Sequence, residues 1–308
     1  MVHQQGLGVN VSIQTNNFSL NLISVLCPTR ERPENVLRLV NSARATAKNP
    51  ELLEFIFYVD LDDESFPDID GVKVIRGPRV WISNAHNVLY ASAKGEILMT
   101  AGDDMEFLSM NWDVVIKEKF KSIPDRIGLV FGNDLGTHAG KIAVHGFFHR
   151  RWIEIIGTWV QPGRGCPWDL WSTDVARKID RLFYLPEVHI KHIHYRQGNK
   201  EANFDSTYQY VYNNNSSFNP QLTYRLLERE RRIDRILLIE NLSTSAPFER
   251  QYLISSFFEK RFRSHLSLQK RRKLLILRNR ELLFLPFRLL INNFFKFNLK
   301  KLFIKSTF

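Results

Sequence analysis

The sequence predicts an α/β fold: a mostly parallel sheet with helices packed against it. Two observations predict it. Short apolar runs rich in β-branched and aromatic residues alternate with helix-like stretches over the first two-thirds of the chain. Acidic clusters then stand directly after two of those runs, at the strand ends where an open parallel sheet holds its ligand.

The β-rich runs are Leu20–Cys27, Glu54–Val59, Val72–Ile75, Glu96–Ala101 and Ile127–Phe131. The helix-like stretches are Pro33–Lys48, Ile82–Ala93 and Asn111–Lys121. Pro33 suits a first helical turn, where a missing N–H costs nothing. Val36, Leu37, Leu39, Val40 and Ala43 then form one apolar face. Asn213–Asn219 reads as a loop, and residues 221–240 as a charged helix. The expected division is a flexible N-terminal segment 1–18, a catalytic-looking body 19–212 and a helical basic extension 220–308.

Composition narrows the class. With 44% hydrophobic and 24% charged residues, the 308-residue chain has enough apolar side chains for a full core. Two cysteines, Cys27 and Cys166, exclude a disulfide framework and predict a reducing compartment. The net charge of +11 asks for an anionic partner. It is concentrated: Asn241 to Phe308 holds fifteen Lys and Arg against three acids, and the rest of the chain is nearly neutral. Nucleic-acid binding by the whole protein therefore loses its basis. The most apolar stretch, Leu282–Ile291, is short and interrupted by Pro286 and Arg288, so no span is expected. Met1–Asn17 is polar and lacks a signal-like h-region, which predicts a cytoplasmic location.

The residues just after each strand carry the chemistry. After the first comes Cys27-Pro28-Thr29-Arg30-Glu31-Arg32, without the glycine pattern of a dinucleotide or P-loop site. Thr and Arg at a strand end can meet a phosphate or a base edge; a solvated turn is the other reading. After the second comes Asp60-Leu61-Asp62-Asp63-Glu64, whose carboxylates repel one another and call for cations, ribose hydroxyls or base N–H groups. An exposed acidic loop is the alternative. After the fourth comes Gly102-Asp103-Asp104, and hard oxygens at a strand end suit Mg²⁺ or Mn²⁺ bridging substrate phosphates.

Four of the six tryptophans (Trp152, Trp159, Trp168, Trp171) lie close together. Their faces can stack on sugars or fill a core. Asp169, between Trp168 and Trp171, is either a base with a raised pKa or a helix cap. His192 and His194 alternate along Val188–Tyr195 and face one side if that stretch is a strand. One of them is then placed to complete a metal site begun by Asp104; a structural role is the other reading.

Taken in order, these pieces resemble the family 2 glycosyltransferases of GT-A fold, in particular bacterial and phage-type members. The resemblance runs from Asn21 to Tyr208. It rests on Pro28-Thr29-Arg30, Tyr58-Val59-Asp60-Leu61-Asp62-Asp63, Asn87 with Gly95, Gly102-Asp103-Asp104, Asp169-Leu170-Trp171 and His192-Ile193-His194. It implies a single Rossmann-type mixed sheet. It also implies a donor pocket formed by Pro28, Thr29, Arg30, Asp60, Asp62, Asn87 and Asp103. Asp104 with His194 or His192 would hold a divalent metal, Mn²⁺ or Mg²⁺. Asp169 would be the base of an inverting transfer, and His145, Trp168 and Trp171 would shape the acceptor side. The metal motif departs from the family's Asp-x-Asp by reading Gly-Asp-Asp, and Gly163-Arg164-Gly165-Cys166 has no assigned role.

The implied partners are a nucleotide-diphosphate sugar and a glycan or lipid-linked acceptor. Residues 241–308 have no counterpart in the resemblance. Their Phe/Leu and Lys/Arg mixture fits either an amphipathic helix on an anionic membrane surface or a subdomain packed on the body. The first option makes the protein a peripheral one on the inner face of the membrane. Two further readings stand beside the enzyme: a non-catalytic nucleotide-sugar or glycan-binding module of the same fold, and a sugar nucleotidyltransferase.

Overall fold

Eight strands form one sheet: β1 (Ser19–Thr29), β2 (Leu53–Asp60), β3 (Val72–Gly77), β4 (Gly95–Thr100), β5 (Met105–Phe107), β6 (Leu129–Asn133), β7 (Gly146–His149) and β8 (Leu182–His192). The computed structural model describes residues 19–136, 138–157, 167–195, 204–215 and 224–243. The segment 1–18, the Gly163–Cys166 turn and the basic stretch from residue 244 lie outside the described residues. The strand order is β3-β2-β1-β4-β7-β6-β8-β5. β3, β2, β1 and β4 run parallel, as do β6 and β8, whereas β7 and β5 are antiparallel to their neighbours. The α/β class is as predicted, and the sheet is mixed.

The helices are α1 (Pro33–Thr46), α2 (Ile82–Ser92), α3 (Trp112–Lys121), α4 (Arg150–Ile156), α5 (Trp168–Lys178), α6 (Ser206–Asn215) and α7 (Glu228–Ile239). α1 begins at Pro33 and buries Val36, Leu39, Val40 and Ala43, an i, i+3, i+4, i+7 stripe. α4 starts where His149 accepts the Arg151 N–H and stops at Gly157, whose φ of 76° is in the left-handed region that favours glycine. The expected loop at Asn213–Asn219 begins later than predicted, because α6 continues through Asn215.

Each sheet face carries its own core. Ile23, Val25 and Cys27 point to the face covered by α1 and α3, with Trp112, Ile116 and Phe120. Leu26, Ile56 and Leu98 point the other way, against Leu89, Trp152, Trp171 and Val175. This is the pleat alternation expected of a sheet covered on both sides. Leu238 of α7 is fully buried in the second core. Arg231 of the same helix reaches Asp174 at 3.2 Å, so α7 packs onto the sheet-bearing body. Among the described residues no helix is long and apolar enough to cross a membrane.

Candidate active site

Because β1, β2 and β4 are parallel neighbours, their carboxyl ends share one edge: Thr29 lies beside Val59, and Leu26 beside Thr100. Pro28 is the penultimate residue of β1, opposite Tyr58. Arg30 follows β1 and grips the acidic end of β2. Its guanidinium donates to both Asp62 oxygens, at 2.5 and 2.9 Å, and to Asp60 Oδ2 at 3.1 Å. Burial pushes the Asp60 carboxyl up despite Arg30 and Arg79. Asp63, one residue on, fastens the loop: it accepts from the Glu31 and Ser65 backbone N–H groups and from Ser65 Oγ.

The two aspartates after β4 differ in role. Asp103 is buried and committed to protein partners: Thr29 Oγ1 donates to Oδ2 at 2.7 Å and Arg32 Nη1 to Oδ1 at 2.9 Å. Burial and the adjacent Asp104 push its carboxyl up, against the pull of Arg32. Asp104 points the other way. Its Oδ2 accepts the Tyr208 hydroxyl at 2.7 Å and lies 3.3 Å from His192 Nε2. Burial opposes ionisation, but His192, His145 and Tyr208 outweigh it and hold the Asp104 carboxyl well below the usual range. In return Asp104 holds the His192 imidazole above its ordinary value, although burial alone lowers it.

Asp104, His145 and His192 form a cluster whose candidate ligand atoms all lie within 4.8 Å of one another. Three features fit a divalent cation. The donor set is one hard oxygen and two imidazoles. Both ring nitrogens of His145 are buried without a hydrogen-bond partner. Burial, with His192 beside it, pushes the His145 pKa down to about 3, so the ring is neutral with a free lone pair at ordinary pH. Gly102 leaves the room: a Cβ there stands 2.6 Å from Asp104 Oδ1 and 3.5 Å from His145 Cε1.

The sequence reading gave His145 to the acceptor side, and the structure places it in this cluster. His194 lies outside the cluster. Its ring is 5.3 Å from that of His192 and stacks on Tyr195. β8 ends at His192, so the two histidines are not alternate residues of one strand. Asn87 sits in α2 and donates to Ser83 O of its own helix at 3.1 Å. Trp168 is half-buried, with its ring 5.7 Å from His86.

Trp171 corrects the sequence reading. It is 6% exposed in the second core and donates its indole N–H to Asp234 at 2.9 Å, so it has no face free for an acceptor sugar. Asp169 lies in the first turn of α5, but Pro167 occupies the N-cap position, so the capping alternative is not what forms. Burial pushes the Asp169 carboxyl up, only partly offset by the Leu170 N–H and the charges of His138 and His192. A carboxylate whose carboxyl is raised in this way is a stronger base than a solvated one.

Arg32, one of the two arginines read at the end of the first strand, belongs to this site, and Asp205 and Tyr208 were missed in the sequence. Arg32 bridges Asp103 and Asp205, the latter by two bonds of 2.6 and 2.9 Å, and lies over the Tyr208 ring at 4.3 Å. Asp205 also accepts the Tyr208 N–H at 3.0 Å, as a helix-starting aspartate does. That Asp-Ser-Thr-Tyr start was the available signal.

No protein-family model matches the chain, and no curated protein is similar to it in sequence. Solved structures are similar at low identity. S. aureus TarS 1–349 in complex with UDP aligns with 12% identity and a TM-score of 0.44, over 55% of this chain and 59% of that one. This chain thus spans less than two-thirds of that protein. S. aureus TarS 1–349 alone aligns over 72% of this chain and 81% of its own, with 12% identity and a TM-score of 0.45. The Pyrobaculum calidifontis mannosyltransferase PcManGT, in complex with GDP-Man and Mn²⁺, aligns over 77% and 79%, with 12% identity and a TM-score of 0.43.

Proposed function

We propose that this protein is a glycosyltransferase that moves a sugar from a nucleotide-diphosphate donor to an acceptor hydroxyl with the help of a divalent metal. One observation carries the proposal: Asp104, His145 and His192 converge within 4.8 Å just past the carboxyl end of β4, on the same sheet edge as the acidic end of β2, with β1 between the two strands. The ordered motifs from Pro28 to His194, which resemble those of family 2 glycosyltransferases, support the same reading.

In this reading Asp104, His145 and His192 hold the cation, Mn²⁺ or Mg²⁺. When bound it supplies a Lewis acid for the charge that develops on the leaving diphosphate. Arg30, Asp60 and Asp62 form the nucleoside end of the pocket. Asp103 fixes the turn through Thr29 and Arg32, so that Asp104 faces the cluster. Asp169 takes the proton from the acceptor hydroxyl, which attacks the anomeric carbon from the face opposite the diphosphate and inverts it. Its burial keeps the carboxylate basic enough for that step. Residues 19–212 form the catalytic domain. The acceptor is a glycan or lipid-linked hydroxyl, reached in the cytoplasm with residues 241–308 resting on an anionic membrane surface.

The test is a panel of UDP-, GDP- and dTDP-sugars, read by thermal shift and donor hydrolysis with Mn²⁺, Mg²⁺ or EDTA. Metal-dependent stabilisation by one donor, lost in Asp104→Ala, is the expected result. Asp169→Asn is expected to keep that stabilisation and to slow transfer about 10²–10⁴-fold. No response to any donor from folded protein rejects the reading.

A further inference from the structure

Asp134 follows β6 and is 6% exposed. Its backbone carbonyl accepts the His192 N–H at 3.1 Å, and its Oδ1 accepts the Gly136 N–H at 3.1 Å. Its Oδ2 is buried and has no hydrogen-bond partner, as is true of both ring nitrogens of His145. Asp134 and His145 line the same small cavity with Gly132, Ile142, Val144 and Ile190. The cavity volume is about 10 Å³, close to the least that one water molecule needs. A buried polar group without a partner is costly, about 1–3 kcal/mol. Here an acceptor that needs a donor and an imidazole that must carry one N–H face a common space.

A neutral imidazole has one N–H and one lone pair, and the partner of one nitrogen decides which is which. Histidines that bind metals commonly donate their second N–H to a carboxylate, directly or through water. We propose that Asp134 is the positioning residue for His145. Through a single water in the shared cavity it accepts the N–H of one ring nitrogen, and so leaves the other nitrogen's lone pair for the cation. The inference rests on the metal reading above, which assigns Asp134 no part. It accounts for why the Asp134 carboxylate is buried against the His145 cavity yet outside the cluster of direct ligands.

Asp134→Asn is the informative change. Oδ1 is held by the Gly136 N–H, so the new amide N–H₂ takes the place of Oδ2 and offers a donor where His145 needs an acceptor. Mn²⁺ binding to the full chain is titrated by calorimetry for the parent, Asp134→Asn, His145→Ala and the double variant. ¹⁵N spectra of the metal-free histidines read the His145 tautomer directly. The expected outcome is a 10–100-fold loss of Mn²⁺ affinity in Asp134→Asn. No further loss is expected when that change is added to His145→Ala, together with a changed His145 tautomer in the metal-free variant. An affinity within twofold of the parent overturns the inference while leaving the metal reading intact. Losses that multiply in the double variant do the same. A parent that binds no Mn²⁺, with or without nucleotide sugar, overturns both. An unchanged tautomer overturns the inference even if the variant's stability falls.

Discussion

Removing the Tyr208 hydroxyl should weaken the metal-free protein and strengthen metal binding, two effects of opposite sign from one atom. The hydroxyl donates to Asp104 Oδ2 at 2.7 Å, and Asp104 is 8% exposed. A hydrogen bond to a buried charged acceptor contributes about 1.5–3 kcal/mol. Tyr208→Phe should therefore lower the Tm of the metal-free protein by about 4–8 °C, taking roughly 2 kcal/mol at 2–4 °C each. α6 stays docked, because Arg32 still holds Asp205. If the cation takes Oδ2 and displaces the Tyr208 hydroxyl, the parent gives up that bond on binding and the variant has none to lose. The same 1.5–3 kcal/mol then appears as roughly 10–100-fold tighter Mn²⁺ binding. Thermal melts with and without MnCl₂, followed by calorimetry, measure both halves. Mn²⁺ affinity that is unchanged or weaker in Tyr208→Phe refutes the competition, and with it the use of Oδ2 by the metal.

Gly102→Ala places a Cβ 2.6 Å from Asp104 Oδ1. The carboxylate must move, and Mn²⁺ affinity is expected to fall at least about tenfold; retained affinity shows that Asp104 is not a ligand in this pose. Acidification tests the buried imidazoles. The pKa values of His145 and His86 are pushed down by burial to about 3 and about 4, below the unfolded value of 6.5. Their stabilisation is thus present above pH 6.5 and is lost as pH falls toward those values, at about 1.4 kcal/mol per pH unit for each group. The urea midpoint should drop between pH 7 and pH 5, and a flat profile there contradicts the assignment. Trp171→Phe removes a 2.9 Å bond to buried Asp234. It should cost about 1.5–3 kcal/mol of stability and leave Mn²⁺ and donor affinity untouched. A selective loss of acceptor use, with the Tm unchanged, would return Trp171 to the acceptor side.

The legible parts of the sequence are those fixed by local signals. Gly102-Asp103-Asp104 could be read because a glycine turn closes an apolar strand, and α1 because Pro33 opens a regular stripe. β5, β7 and α4 were missed because three, four and seven residues carry too little periodicity to detect. β7 is also what decides the role of His145. Its antiparallel pairing sets Phe147 opposite Met99, so the residue just before β7 arrives beside the residues just after β4. No local pattern around His145 encodes that pairing. Trp171 shows the same limit: its indole partner is Asp234, 63 residues away. Arg32 and Asp205 are 173 residues apart.

The acidic strand ends are not a uniform cation trap, because most of their charge is already matched. Asp60 and Asp62 share Arg30, while Asp103 and Asp205 share Arg32. Asp104 differs. Among the described residues it has no arginine partner, and its side-chain partners are a phenol and an imidazole that must be neutral to bind metal. In the proposed reading, a donor diphosphate meets two arginines, Arg30 and Arg32, that carboxylates already hold. A diphosphate can draw them from the carboxylates only if it brings comparable negative charge, and it then leaves those acids needing a counter-charge nearby. A dication at Asp104 supplies that charge. In the proposed reading anion and cation would therefore favour one another, each reducing the electrostatic cost of the other. Such mutual dependence would separate a site for a metal–nucleotide pair from a site for either alone, and it is measurable as donor affinity that rises with Mn²⁺ and Mn²⁺ affinity that rises with donor.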